Sequence, residues 1–142
     1  MKITGHFSTT INIVSVQGGT PVKFGTYPDT AEWSATAFAE ITAPISGSLV
    51  GIVRGDIYTQ TKTSFTSTGN SNPGSELPGY TLANFRAGIE DQDSGWSLTA
   101  NVKNAFKKEF YVGGIALGEL FQLNTAVPGA PRTFFIEGRI KF

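Results

Sequence analysis

Alternation of apolar and polar residues with a period of two constrains this chain more than any other feature. Successive side chains of a β-strand point to opposite faces, so a period of two predicts a strand with one apolar face. The pattern is clearest in residues 133–142, where a charged face carries Glu137, Arg139 and Lys141. The opposite face is apolar and consists of Phe134, Ile136, Gly138, Ile140 and Phe142.

Five earlier segments show a similar alternation and are rich in β-branched or aromatic residues, which favour strands. No run approaches the roughly 18 apolar residues of a membrane-spanning helix. The predicted fold is therefore all-β, an antiparallel up-and-down sheet of about six strands. The five segments are residues 7–16, 31–43, 49–60, 80–91 and 96–104.

The connections between these segments alternate in length. Counted back from the carboxyl end, they are long (105–132), short (91–95), long (61–79), short (44–47) and long (17–30). Outer-membrane β-barrels have short turns on the periplasmic side and longer loops outside, so their connections must alternate in this way. Each segment also has about the 9 to 11 residues that a tilted membrane-crossing strand needs.

Composition excludes several classes of function. The chain has 142 residues, enough for one domain, and a formal net charge of +0, which does not favour nucleic acid as a partner. It has no cysteine, which excludes disulfides, thiolate metal sites and thiol catalysis. Polar residues interrupt residues 1–16, which therefore do not resemble a secretory signal peptide. This start leads us to expect a fragment of a longer exported protein.

Four stretches resemble one known family. NVKNAFKKEFY (101–111) is similar to the end of the penultimate strand of TonB-dependent outer-membrane receptors, and PGAPRTFFIEGRIKF (128–142) to the approach to their final strand. AEWSATAFAEI (31–41) and LPGYTLANFRAGIE (77–90) resemble strands of earlier hairpins. The terminal Phe142 is similar to the ending that the barrel-assembly machinery reads, although Gly138 lies four residues before it and Glu137 takes the usual glycine position.

The resemblance implies a transmembrane β-barrel of 22 strands in the bacterial outer membrane, of which residues 1–142 form the carboxyl-terminal part, without the plug domain. Such receptors import scarce nutrients such as ferric siderophores. The implied partners are outer-membrane lipid, the barrel-assembly machinery, the rest of the barrel and its plug, and TonB indirectly. The chain is expected to be non-enzymatic and to need no cofactor.

Two sets of candidate site residues follow. The closing strand would carry the assembly signal. The faces taken as inward would carry charge pairs that line a wet lumen, with contact between some of these residues and a plug or substrate as the alternative. The first set is Phe134, Ile136, Ile140 and Phe142, and the second is Arg54, Asp56, Arg86, Glu90, Lys103, Glu137 and Arg139, with Lys141 beside it.

Aromatic residues at strand ends are predicted to mark the membrane interfaces. Trp33 and Trp96 are interpreted as interface anchors. Phe110, Tyr111 and Phe121 are interpreted as an aromatic girdle or strand extensions, with ligand contact as the alternative.

Sites for metals, nucleotides or catalysis are not expected. The single histidine, His6, has no visible partners for a metal or a catalytic triad. The DQDSG stretch (91–95) opens like a calcium loop but lacks the later carboxylate, and the glycine pair at 113–114 lacks the context of a nucleotide fingerprint.

Three other functions are the alternatives. A small soluble or secreted β-barrel that binds an apolar ligand would show the same alternation, because period alone does not say which face is outward. A self-contained pore needs at least eight strands, and residues 22–27 and 110–115 are too short to supply two more. An enzyme would need a nucleophile, base and orienting group that the sequence does not offer.

Overall fold

A computed structural model describes residues 2–7, 14–17, 20–23, 28–66, 74–117 and 123–141, with side chains from residue 28 onward. These residues form antiparallel strands and turns and contain no helix. In particular, they contain no helix long and apolar enough to cross a membrane. The strands are β1 (Lys2–Phe7), β2 (Val14–Gln17), β3 (Thr20–Lys23), β4 (Trp33–Ser46), β5 (Leu49–Gln60), β6 (Thr63–Ser64), β7 (Glu76–Leu77), β8 (Tyr80–Asp91), β9 (Trp96–Lys103), β10 (Tyr111–Ala116), β11 (Asn124–Pro128) and β12 (Thr133–Ile140).

Six strands form the main sheet, in the order β1-β4-β5-β8-β9-β12. Every neighbouring pair is antiparallel, and each strand lies beside the next long strand in the chain. The expected all-β, antiparallel, up-and-down architecture is therefore confirmed. In the described part of the chain β1 and β12 do not pair, so the sheet is open and not a closed barrel.

The long and short connections alternate as the sequence predicts. The β4–β5 and β8–β9 connections are tight turns, and Gly47 (φ 54°) and Gly95 (φ 66°) supply their left-handed residues. Each of the three long connections contains a small two-stranded sheet of its own: β2–β3, β6–β7 and β10–β11. The sequence did not predict these hairpins, since their strands of two to six residues are too short for a clear period.

The first predicted strand, residues 7–16, is wrong in its bounds. In the main sheet β1 ends at Phe7, where it lies opposite Trp33 of β4. Val14–Gln17 instead pair with Thr20–Lys23 as β2 and β3, and residues 8–13 lie outside the described part of the chain. A β-branched composition favoured strand throughout this region, but composition does not specify which strand pairs with which.

The first short turn also begins later than predicted. Residues 44–47 were expected to turn, yet β4 continues to Ser46, with a register shift between Pro44 and Ser46. Proline can enter a strand at an unpaired edge, because its missing N–H then costs no ladder hydrogen bond. β1 pairs with β4 only as far as Phe38, so among the described residues β4 is a free edge at Pro44.

The buried core is small, and half of it lies outside the main sheet. The buried apolar residues among those described are Val50 and Ala83 in the sheet and Phe65 and Leu77 in the β5–β8 connection. Phe65 packs on the β10–β11 hairpin, where a Cβ on Gly114 would lie 2.6 Å from the Phe65 ring. The long connections thus pack on one another at one end of the sheet.

Candidate functional site

The strand register aligns the apolar positions of the described sheet on one surface, here called the apolar face. In β4, β5, β8 and β9, residues such as Ala39, Gly55, Phe85 and Val102 lie side by side. The apolar face consists of Trp33, Ala35, Ala37, Ala39, Ile41, Ala43, Leu49, Gly51, Val53, Gly55, Ile57, Thr59, Thr81, Ala83, Phe85, Ala87, Ile89, Trp96, Leu98, Ala100, Val102, Phe134, Ile136, Gly138 and Ile140.

Large side chains of the apolar face are exposed. The exposed fraction is 70% for Ile41, 58% for Val53, 48% for Leu98 and 75% for Ile136. A soluble protein rarely leaves such a contiguous surface uncovered, and a large exposed apolar patch marks contact with a membrane or another molecule. One acidic residue, Asp91, is in register with the apolar face, but it lies at its end, in the 91–95 turn. Its carboxylate accepts hydrogen bonds from Ser48 Oγ and from the Ser94 amide, both 2.9 Å long.

The alternate positions form the polar face, which carries all seven predicted lumen residues. Arg54 and Arg86 lie directly opposite each other on β5 and β8, and Asn101 of β9 is the next residue in that row. The polar face consists of Ser34, Thr36, Phe38, Glu40, Thr42, Val50, Ile52, Arg54, Asp56, Tyr58, Gln60, Tyr80, Leu82, Asn84, Arg86, Gly88, Glu90, Ser97, Thr99, Asn101, Lys103, Thr133, Phe135, Glu137 and Arg139.

Arg54 is the centre of the charge network on the polar face. Its Nη2 lies 2.9 Å from Asp56 Oδ1, and its Nη1 lies 3.6 Å from Glu40 Oε2. The guanidinium also lies 4.2 Å above the centre of the Phe38 ring, a cation–π contact. This contact explains Phe38, the one apolar residue that interrupts the polar face of β4, since its ring lies against the Arg54 guanidinium.

Arg86 differs from Arg54 in having no described carboxylate partner. Its Nε is buried and has no hydrogen-bond partner among the described residues. Like charges directly opposite each other on neighbouring strands destabilise a sheet, and Arg54 occupies that position. An acceptor outside the described chain would satisfy the Arg86 guanidinium.

The polar face is more enclosed than the apolar face at the middle of the sheet. Thr99 is only 1% exposed although its neighbours on β9 point to the other surface and Leu98 is 48% exposed. A Cβ added to Gly88 on the polar face of β8 would lie 2.6 Å from Thr99 Cγ2, whereas one added to Gly55 on the apolar face of the neighbouring β5 would lie 3.3 Å from the Phe85 ring.

The remaining predicted charged residues lie on β8, β9 and β12. Glu137 and Arg139 form an exposed ion pair of 3.4 Å along β12. Lys103 lies 5.5 Å from the centre of the Phe135 ring. Glu90 lies on the same face beside Ser97, away from the Arg54 network.

The predicted assembly strand forms the edge β12, whose residues are all exposed. Phe134, Ile136 and Ile140 lie on its apolar side, with exposed fractions of 67%, 75% and 65%. Phe142 lies outside the described residues, as does Phe121. The side chain of His6 lies outside the described part as well.

Asn104 is a structural residue that the sequence analysis did not single out. It is 5% exposed and has a left-handed backbone (φ 50°), a conformation that asparagine tolerates well. Its side-chain nitrogen donates to the carbonyls of Lys108 (2.8 Å) and Ala130 (3.3 Å), and its Oδ1 accepts from the Lys108 amide (2.8 Å). The signal was present in the NVKNAFKKEFY stretch, where this asparagine directly follows the strand.

Clusters of three or more His, Cys, Asp or Glu residues that could hold a metal ion are absent from the described residues. No family model, curated protein or solved structure matches this chain.

Proposed function

We propose that this chain is the carboxyl-terminal part of an outer-membrane receptor of the TonB-dependent type, which imports a scarce nutrient such as a ferric siderophore. In this proposal the six strands belong to a transmembrane barrel of 22 strands, with the apolar face toward lipid and the polar face toward the lumen. The observation that carries the proposal is the exposed apolar face, continuous across the described strands.

The dimensions of the sheet support a membrane crossing. β5 has 12 residues, which is about 40 Å at ~3.3 Å per residue. A strand tilted by about 40°, as in membrane barrels, would then span about 30 Å, the thickness of the hydrocarbon layer. The length of β5 therefore fits the hydrocarbon layer.

The positions of the two tryptophans support the same orientation. Trp33 lies at the end of the long connections, where its carbonyl accepts a hydrogen bond from the Thr61 amide, and Trp96 follows the short 91–95 turn. Both belong to the apolar face, at opposite ends of the sheet. Tryptophan is enriched at both membrane–water interfaces, so the pair would mark the two boundaries.

The side chains of the polar face support the proposal that this face lines a lumen and contacts another part of a larger receptor. Charged and amide side chains would contact water or protein there, and the Arg54 cation already has carboxylate partners in Glu40 and Asp56. Arg86 keeps an unsatisfied buried Nε. A carboxylate from a plug domain or an imported ligand would satisfy it.

The alternative is a small soluble or secreted β-barrel that binds an apolar ligand. A groove of about 330 Å³ on the apolar face favours it, because its lining is almost entirely apolar. The groove lies between β4, β5 and β8 and is covered at one end by Phe106, whose ring meets Phe85 edge-on at 6.3 Å between centroids. In this alternative the apolar face would close around the ligand, and the chain would be soluble without detergent.

Tryptophan fluorescence in vesicles separates these two functions. Trp33→Phe leaves Trp96 as the reporter, and Trp96→Phe leaves Trp33. In phosphatidylcholine vesicles we expect both reporters to be quenched by lipids brominated near the headgroup, and less by lipids brominated at the chain ends. Failure of every brominated lipid to quench, with strong quenching by aqueous iodide, would contradict the membrane orientation.

The receptor assignment has a separate genetic test. The DNA upstream of the Met1 codon is sequenced and translated in all frames. We expect it to encode earlier barrel strands and a plug domain. A promoter directly before the codon, with no such coding sequence, would contradict the receptor and favour the small binding protein.

A further inference from the structure

A cavity of about 560 Å³ lies where β9 and β12 meet the long connection between them. Two chain segments form its walls, residues 104–111 after β9 and residues 128–134 before and at the start of β12. We call it the basic cavity and define it by Asn104, Lys107, Lys108, Phe110, Arg132 and Phe134.

The basic cavity is held open by hydrogen bonds between its two walls. Asn104 joins them, since its side chain bonds to the carbonyl of Lys108 in one wall and to that of Ala130 in the other. The Gly129 amide donates to the Phe110 carbonyl at 2.8 Å, a second link between the walls. The cavity therefore depends on a defined backbone arrangement in addition to surface side chains.

Positive charge dominates the lining of the basic cavity. Lys107, Lys108 and Arg132 contribute three cations, and Glu109 contributes one carboxylate. None of the three cations forms an ion pair with any described carboxylate. The Arg132 guanidinium lies 5.0 Å above the centre of the Phe134 ring, which fixes one cation at the mouth of the cavity. This lining is complementary to an anion.

The apolar face continues from the basic cavity along β12. Phe134 is both a wall of the cavity and the first apolar-face residue of β12, and Ile136 is the next. A ligand that satisfied both regions would need an anionic head and an apolar tail. An anionic lipid has this combination, whereas a free phosphate ion would leave the Phe134 side of the cavity unoccupied.

We propose that the basic cavity binds the phosphate headgroup of an anionic membrane lipid, with Arg132, Lys107 and Lys108 contacting the phosphate and Phe134 contacting the first part of an acyl chain. This inference rests on the proposed function, because it requires the apolar face to lie in a membrane. The cavity lies at the end of the long connections, where that orientation places the membrane surface. Basic pockets at this depth are suited to anionic headgroups.

Lipid titration of the full chain tests the proposal. The chain is folded in dodecyl maltoside micelles, and bound lipid is measured by native mass spectrometry with phosphatidylglycerol or phosphatidylcholine. We expect phosphatidylglycerol to bind more tightly. Arg132→Gln should weaken its binding about fivefold, the effect expected of one cation near a membrane surface, and Lys107→Gln with Lys108→Gln should weaken it further.

Lys62→Gln is the matched control. It removes one positive charge at the same end of the sheet, but Lys62 is already paired with Glu76 at 2.8 Å. This hydrogen bond raises the pKa of Lys62, which is thus a compensated cation. We expect the control to bind phosphatidylglycerol within about twofold of the parent chain, because no headgroup contact is lost.

Two outcomes would overturn the lipid site. One is equal affinity of the parent chain for both lipids, which needs no variant and so does not depend on how a variant folds. The other is an equal loss for Lys62→Gln and Arg132→Gln, which would indicate a general charge effect.

Tryptophan quenching by brominated phosphatidylcholine is measured on the same chain. Quenching without lipid preference would contradict the lipid site alone, whereas absent quenching would contradict the membrane orientation.

Discussion

Two glycines of the sheet, Gly88 on the central strand β8 and Gly138 on the edge strand β12, differ in the space that a side chain would have. Gly88 lies on the polar face, where an added Cβ would collide with the Leu98 carbonyl and lie 2.6 Å from Thr99 Cγ2. Gly138 lies on the apolar face of β12, where an added Cβ meets nothing within 4 Å. The same substitution therefore has opposite consequences at these two positions.

Gly88→Ala should destabilise the chain by about 1–3 kcal/mol, because the backbone of β9 would have to move to admit the methyl group. Gly138→Ala should leave the free energy of unfolding unchanged or raise it slightly, since it restricts the unfolded chain and meets no atom. Urea unfolding in detergent micelles measures both. Equal shifts of the two variants would contradict the close packing of β8 on β9.

The two central arginines also have opposite expected effects. Arg86→Met should raise the free energy of unfolding by about 1 kcal/mol, because it removes a buried nitrogen without a partner and the repulsion with Arg54. Arg54→Met should destabilise the chain, because Glu40 and Asp56 would both lose their cation. A destabilised Arg86→Met variant in the same urea assay would show that Arg86 has a partner within this chain.

At the scale of elements, the sequence predicted the strands that alternate with a period of two and missed those that do not. β5 and β8 were predicted with the bounds Leu49–Gln60 and Tyr80–Asp91, because ten or more alternating residues lie between recognisable turns. The hairpins β6–β7 and β10–β11 were missed. Their strands are short and are fixed by contacts between distant segments, such as Phe65 on Gly114, which a local pattern does not contain.

The candidate site was predictable to a similar extent. The alternation with a period of two placed the seven charged residues on the polar face, because every second residue of a strand points to the same side of the sheet. The pairing of Arg54 with Arg86 was not predictable, because it depends on the register between β5 and β8. The links that Asn104 makes to Lys108 and Ala130 likewise depend on how two connections meet.

Packing between the long connections can be tested at Phe65. Phe65 is 9% exposed and lies on the β10–β11 hairpin, so Phe65→Ala should lose about 3 kcal/mol of local packing and expose both connections. Limited proteolysis in micelles should then cleave residues 61–79 and 105–132 faster than in the parent chain. Phe106→Ala is the control, because Phe106 is 76% exposed. Equal cleavage of both variants would contradict the packed connections.

At the scale of the whole molecule, the described residues form a sheet with two unpaired edges and leave its apolar face uncovered. β12 is exposed along its whole length, and exposed edge strands pair readily with other chains. The small buried core offers little to offset this exposure in water. The chain should therefore depend for its stability on a membrane, a detergent or, under the proposed function, the other strands of the proposed barrel.

The chain should form oligomers or aggregates in plain buffer and remain monomeric in detergent micelles, since detergent covers the apolar face. Analytical ultracentrifugation of the same preparation in both conditions measures this. A single sharp monomer boundary without detergent would contradict the expectation and favour the small soluble barrel.

The most direct test of the account is the direction in which each face points in a bilayer. The chain has no cysteine, so single cysteines can be introduced at Ala87 and Ala100 on the apolar face and at Asn84 and Asn101 on the polar face, and then spin-labelled. In phosphatidylcholine vesicles, labels at the two alanines should collide mainly with oxygen dissolved in lipid. Labels at the two asparagines should collide mainly with a water-soluble nickel complex. Reversed preferences, or no difference between the two faces, would contradict a sheet whose apolar face lies against lipid.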